Sequence, residues 1–204
     1  MYSLGEKLNR AFFLRDCVTV ARGLLGMHIV RETENAFIAV QITETEAYNG
    51  LDDMACHSYG GRITPRTQTF YMLGGHSYVY LLYGMHCLFN VITGDKNDPS
   101  GVLIRTGAIV CGRDEISLRR FGKSFDMLSN ARKKQLLDGP GKICHAMGID
   151  RSHNARDLLG EGLYLARPFD MPDFNIETGK RINIAYAGEA ADYPYRFTMK
   201  TVNT

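Results

Sequence analysis

The run FIAVQITETEAY, residues 37 to 48, constrains the fold more than any other stretch of the chain. Its apolar and β-branched residues read as a strand, and side chains alternate faces along a strand. Ile38, Val40, Ile42, Glu44, Glu46 and Tyr48 therefore share one face. The first three belong in a core, whereas carboxylates resist burial. Either a turn or bulge intervenes, or charge is set on purpose at the edge of a core. If no bulge breaks the alternation, the shared parity turns Glu46 and Tyr48 toward one pocket.

The neighbouring stretches say what this strand pairs with. Asp16 is placed to cap a helix over DCVTVARGLL, with Gly26 as its stop. The strand MHIVRE follows. Residues 49 to 75 are rich in Gly, Asp, Ser, Thr and Pro and read as a long loop, a common home for function. HSYVYLLYGMHCLFNVIT reads as two strands around a tight turn at Tyr83-Gly84-Met85. GVLIRTGAIV is a further strand, RDEISLRRF and SNARKKQLL are helical, and DGPGKICHAMG is a turn leading into a short helix. GLYLARP, KRINIAY and YPYRFTMK read as the last strands. The strands come in adjacent runs without regular βαβ alternation, so the expected fold is α+β, one mixed domain on a mostly antiparallel sheet.

Composition narrows the function classes. No apolar run approaches the ~18 residues that a membrane span needs, and the start lacks the apolar stretch of a secretory leader. A soluble intracellular protein is expected. Cys17, Cys56, Cys87, Cys111 and Cys144 are odd in number and widely spaced, a poor disulfide framework. Three of them adjoin a histidine, but no CxxC pair exists, so reduced thiols are a better account than zinc. Net charge is only +2, yet it is unevenly spread. Residues 32 to 57 hold six acids and no Lys or Arg, while residues 101 to 156 carry a net +6. That pattern fits either a catalytic carboxylate on a polyanion-binding surface or simply a solvated helical face.

Four stretches could carry chemistry. Glu44 and Glu46 stand beside apolar surface, where a carboxylate can act as a general base, or they are glutamates at a strand end. In HSYGGRITPRTQTF, the glycine pair permits close backbone approach, and Arg62 and Arg66 flank Thr64-Pro65 as phosphate donors. Tyr78 and Tyr80 share a face, and Tyr83 beside the hairpin turn suits insertion into a stacked base step. Arg105, ending the apolar run GVLI, needs a carboxylate partner, with Glu46 and Glu44 as candidates. Together they suit an enzyme that turns a base out of a duplex.

The ordered elements ETEAY, AxHS, GGRxTPR, YVYxxYGMxxxxN, VLIR and GPGK, closed by AGE and YRF, strongly resemble the alkyladenine (3-methyladenine) DNA glycosylase family. The likeness runs from about residue 15 to 200. It implies one glycosylase domain over residues 1–204, with the first fourteen or so residues as a loose extension. It also implies a curved sheet with flanking helices, a protruding hairpin, and neither metal nor cofactor.

By resemblance, Glu46 activates a water that attacks the sugar C1′, and Arg105 positions both. Tyr48, His57 and Tyr80 sandwich and hydrogen-bond the flipped base, and Asn90 disfavours the exocyclic amine of guanine. Tyr83 fills the gap in the duplex, and Met85, Arg62, Thr64, Arg66 and Lys142 contact DNA.

The expected partner is double-stranded DNA carrying damaged purines, bound by a monomer with no membrane. The expected place is the cytoplasm of a bacterial cell, at the nucleoid, or the nucleus of a eukaryotic one. The alternative function is a non-catalytic reader of damaged DNA.

Overall fold

The computed structural model describes residues 4–202. Its strands are β1 (Leu4–Lys7), β2 (His28–Thr33), β3 (Ala36–Tyr48), β4 (Ser77–Leu82), β5 (His86–Thr93), β6 (Ser100–Cys111), β7 (Leu163–Pro168), β8 (Phe174–Gly179) and β9 (Arg196–Thr201). The helices are α1 (Arg10–Phe13), α2 (Cys17–Gly23), α3 (Arg113–Phe121), α4 (Asn130–Lys134) and α5 (Pro140–Met147). One antiparallel sheet runs β1-β7-β2-β3-β6-β5-β4, and β9 branches from β3 and carries β8. The α+β reading of the sequence holds.

β3 organises the site because it changes partners along its length. β6 follows one edge from Ala39 to Tyr48. On the other edge, β2 pairs with Ala36–Gln41 and β9 with Glu44–Glu46. The switch between them falls at a bulge. Ile42 opposes Gly107 and Glu44 opposes Thr106, which leaves Thr43 as the extra residue. One step on, Thr45 opposes Ile104, which leaves Arg105 as an extra residue on β6. An inserted residue reverses which face the following side chains take.

The consequence answers the question set by residues 37 to 48. Ile38, Val40 and Ile42 lie in the main core, where α2 and α3 pack on β3. Beyond the bulge the core-facing residues are Thr45, whose hydroxyl donates to Ala21 O of α2 at 2.8 Å, and Ala47. Glu44, Glu46 and Tyr48 are thereby released to the opposite face. The even-numbered residues do not share one face along the whole strand; a bulge divides them, and the last three share the site.

Local signals explain the helices around this sheet. Asp16 caps α2 by accepting from Thr19 N at 2.9 Å, Ser129 caps α4 in the same way, and Pro140 opens α5. The hairpin β4–β5 closes through Tyr83 and Gly84, both with positive φ, and Met85 N donates to Leu82 O at 3.1 Å. Gly takes that geometry freely; Tyr83 takes it at a cost of about 1–2 kcal/mol, and its side chain stands 81% exposed.

Two expectations need correction. The first fourteen residues are not a loose extension where they are described. β1 pairs with β7, Phe12 and Phe13 are buried in the core, and Arg10 pairs with Asp157 at 2.7 Å. KRINIAY is not a strand. Residues 181–184 are irregular and lead into a 3₁₀ stretch, Ala185–Asp192, while the strand that pairs with β9 is the more polar FNIETG before it.

Candidate active site

Glu46 sits in the middle of the sheet with β6 on one side and β9 on the other, opposite Leu103 and Arg196. Its side chain is 0% exposed. A carboxylate so placed needs donors, and it has three. Oε1 accepts from the Ile182 backbone N–H at 2.8 Å. Oε2 accepts from the Tyr48 hydroxyl at 2.9 Å and from Arg105 Nη1 at 3.1 Å. Burial pushes the Glu46 carboxyl above the ordinary carboxylate range, and Arg105, the Ile182 N–H and the Tyr48 hydroxyl only partly oppose it.

Arg105 is shared between both carboxylates. Its Nε lies 3.4 Å from Glu44 Oε1, and Arg196 Nη1 donates to the same Glu44 oxygen at 3.0 Å. Charges therefore alternate through Arg196, Glu44, Arg105 and Glu46. This gives Glu44 its place, which is to pair the arginine that holds Glu46.

The carboxylate adjoins a pocket of about 250 Å³ lined by Tyr48, His57, Tyr80, Asn90, Leu103 and Arg105, among others. That volume is below the ~300–1,000 Å³ of drug-sized ligand sites, and the aromatic lining suits a small flat ring system. Tyr78 also lines it, but is only 1% exposed. It is buried behind, stacked on Tyr80 with ring centroids 5.2 Å apart. Asn90 is buried, and its amide donates to Tyr78 O at 3.1 Å across the β4–β5 ladder.

His57 reaches the pocket from the long loop. Arg66 Nη2 lies 3.3 Å from His57 Nε2, and the Tyr78 hydroxyl lies 3.0 Å from Nδ1. A guanidinium can only donate, so Nε2 is the acceptor and Nδ1 carries the proton. Burial, with the Arg66 charge second, brings the imidazole down to about 4. His57 is thus neutral at physiological pH. The expected result is an Nδ1–H tautomer in long-range ¹⁵N–¹H spectra from pH 5.5 to 8, with the midpoint near 4 rising in Arg66→Ala. A wild-type midpoint near 6.5 would contradict the geometry.

The residues expected against DNA are spread around the mouth. Tyr83 and Met85 project at the hairpin tip, and Tyr83 also borders the pocket. Arg62 is exposed. Thr64 spends its hydroxyl inside the loop, accepting from Thr67 N at 3.1 Å. Arg66 lies over the Tyr80 ring, 4.8 Å from its centroid, so it braces the pocket wall. Lys142, on α5, pairs with Asp138 at 2.7 Å and borders an open groove of about 750 Å³ on the β5 flank of the hairpin. That groove is larger than the aromatic pocket but has no tyrosine in its lining and does not include Arg105 or Ile182, donors to Glu46.

Sequence reasoning missed Asp53 and Arg181, a fully buried ion pair whose Arg181 Nη2 and Asp53 Oδ1 lie 2.8 Å apart. Arg181 fell inside a stretch read as a strand. The available signal was an arginine beside a β-branched run, with an unassigned acid in a turn. Among the described residues, no group of three or more His, Cys, Asp or Glu is placed to hold a metal ion, and no helix is long and apolar enough to cross a membrane.

The chain matches a known family. The family model of methylpurine-DNA glycosylases aligns with residues 11–203. The chain is 44% identical to a proposed 3-methyladenine DNA glycosylase of Desulfitobacterium hafniense (strain Y51), covering 96% of each protein. It is 45% identical to one so named from Borreliella burgdorferi (strain B31), covering 95% of this chain and 96% of that protein. It is 40% identical to a third from Clostridioides difficile (strain 630), covering 95% of this chain and all of that protein. The chain belongs to the methylpurine-DNA glycosylase family and is, by that membership, a DNA glycosylase of base-excision repair, a hydrolase of N-glycosyl bonds.

Proposed function

We propose that the aromatic pocket receives an alkylated purine turned out of duplex DNA and that Glu46 is the general base for its hydrolytic release. One observation carries this reading: a fully buried carboxylate is held by three donors, Tyr48, Arg105 and Ile182, that themselves line an aromatic pocket beside an exposed tyrosine at a hairpin tip. Alkylation at N3 or N7 makes a purine cationic and a good leaving group, so the chemistry needs a positioned water and a base more than an acid. The water oxygen attacks C1′ and gives its proton to Glu46. The N-glycosyl bond breaks with its electron pair going to the purine, which leaves uncharged. Arg105 holds Glu46 in line and orients the water.

Tyr48, His57 and Tyr80 supply faces and hydrogen bonds to the flipped base. Aromatic faces favour a cationic ring by ~0.5–2 kcal/mol per contact, and a neutral His57 adds no repulsion to it. Asn90, buried and tied to Tyr78 O, cannot swing aside for the exocyclic amine of guanine. The proposed substrates are 3-methyladenine and 7-methylguanine; hypoxanthine and ethenoadenine are attached as neutral bases, need a proton from solvent to leave uncharged, and are expected as slower substrates. No lysine lines the pocket among the described residues, which supports a monofunctional enzyme that leaves an abasic site. Every group invoked comes from one chain, so a monomer suffices. A genomic substrate and bacterial relatives favour action in the cytoplasm.

Single-turnover assays on duplexes carrying one lesion each test the reading. Release of free methylpurine, with strand scission only after alkali, is expected. Tyr83→Ala is expected to weaken binding to the damaged duplex roughly 5- to 150-fold, from the ~1–3 kcal/mol that one stacked aromatic contributes. Tight binding with no base released from any lesion would instead make the protein a reader of damage.

A further inference from the structure

Arg181 lies behind the pocket wall with both terminal nitrogens hydrogen-bonded and, among the described residues, its Nε buried without a partner, and nothing in the proposed reaction uses it. Its side chain is fully buried. Nη1 donates to Ala47 O at 2.8 Å, and to Asp53 Oδ2 as well. Nη2 donates to Asp53 Oδ1 at 2.8 Å and to Ala190 O at 2.9 Å. The guanidinium also lies over two rings, 4.8 Å from the centroid of Tyr48 and 5.4 Å from that of Tyr195. Asp53, in turn, accepts from Asn49 N at 3.1 Å and from Ala55 N at 3.0 Å.

These bonds join three segments that each shape the site. Ala47 lies between Glu46 and Tyr48 on β3. Asp53 is in the turn that leads to Ala55 and His57 on the pocket wall. Ala190 closes the stretch that begins with Ile182 and Ile184, also on the wall. Arg181 immediately precedes Ile182, whose N–H is, among the described residues, the only donor to Glu46 Oε1. The irregular backbone at 181–184 is therefore held by side chains where a strand would be held by a ladder.

We propose that Asp53 and Arg181 form a positioning pair for the Glu46 carboxylate. They fix the backbone that presents the Ile182 N–H to Oε1, and they place a cation against the Tyr48 ring, whose hydroxyl holds Oε2. This inference rests on Glu46 being the base. Neither residue touches the substrate. Burial works against the charge of Arg181, and the hydrogen bond and charge of Asp53 more than reverse that, so the cation persists at working pH. The charged and titratable groups facing Glu46 are Arg105 from β6, Tyr48 from β3, Tyr80 from β4 and Arg181, with Glu44 sharing Arg105.

Geometry of this kind matters because a second layer of hydrogen bonds aligns a reacting group, and its loss typically costs 10- to 100-fold. Loss of the Ile182 N–H from Oε1 also removes a hydrogen bond to the charged form and so favours the protonated, inactive carboxyl.

Asp53→Asn and Arg181→Lys test the pair in the full-length protein, by single-turnover release of a methylated purine from pH 5 to 9. The expected result is a roughly 10- to 100-fold slower reaction near neutrality and an acid limb displaced to higher pH. Binding to a damaged duplex is expected to stay within about threefold, a change well under 1 kcal/mol. Circular dichroism and thermal unfolding identify a variant that fails to fold, in which case the other variant decides. A folded variant whose pH profile superimposes on that of wild type, with only its melting temperature lowered, would make the pair purely structural and overturn the proposal. Glu46→Gln, assayed in parallel, separates the two failures. An active Glu46→Gln removes the general-base reading and this inference with it. An inactive Glu46→Gln beside an undisturbed Asp53→Asn profile removes the inference alone.

Discussion

Glu46→Gln stops purine release while damaged duplex still binds. Single-turnover excision at pH 7.5 is expected to fall about 10²–10⁴-fold, the usual contribution of a general base. Glutamine keeps the size of the side chain and can still accept from the Ile182 N–H, but it cannot take a proton from water. Affinity for a lesion-containing duplex is expected to change by no more than about threefold, since in the proposed mechanism the aromatic walls hold the base. Wild-type excision should also fade on its acid side above the ordinary carboxylate range, because burial raises the Glu46 carboxyl. The same shift fixes a stability effect. A carboxyl with a raised folded-state pKa contributes stability below its unfolded value, near 4.5, and loses it as pH rises through the folded value. Glutamine has no such loss. The stability of Glu46→Gln relative to wild type should therefore increase from pH 5 to pH 8 in denaturant titrations. Turnover by Glu46→Gln at the wild-type rate would defeat the mechanism.

How far the sequence carried this site depends on the kind of signal each residue left. Glu46, Tyr48 and Arg105 were legible because a charge at the end of an apolar strand needs an explanation, and each is the other's partner. The hairpin was legible through Gly84. What parity could not show was the bulge at Thr43, since strand alternation is blind to an inserted residue until its neighbour's register is known. The parity rule therefore grouped Glu46 and Tyr48 correctly but grouped them wrongly with Ile38, Val40 and Ile42. Arg181 was hidden for a related reason: KRINIAY has the composition of a strand, and only its long-range partner Asp53 overrides that propensity. β8 was missed because FNIETG has too little apolar character to stand out, lying as it does on the outermost strand of a branch. Residues 4 to 14 were set aside although Phe12-Phe13 is a core signal in its own right.

Arg105→Met should cost the protein much of its stability, and the pH dependence of that loss identifies the cause. Arg105 is 13% exposed and lies between two carboxylates that are 10% and 0% exposed. Glu44 keeps Arg196 when Arg105 is lost, but Glu46 keeps only the Tyr48 hydroxyl and the Ile182 N–H. Leaving a buried charge without its ionic partner costs about 3–5 kcal/mol. For a domain of this size that corresponds to roughly 6–20 °C in Tm. Glu46 can relieve the penalty by taking up a proton, so its folded-state pKa rises further in the variant. The sign follows from linkage: the folded form then binds more protons than the unfolded one, and stability is lost as pH rises. The gap to wild type is therefore expected to be small at pH 5 and largest at pH 8. Adding Glu46→Gln removes the stranded charge, so the double variant should recover most of the lost stability while remaining inactive. A loss under ~1 kcal/mol, independent of pH, would mean that Arg105 behaves like an exposed surface pair and is not the counter-charge on which Glu46 depends.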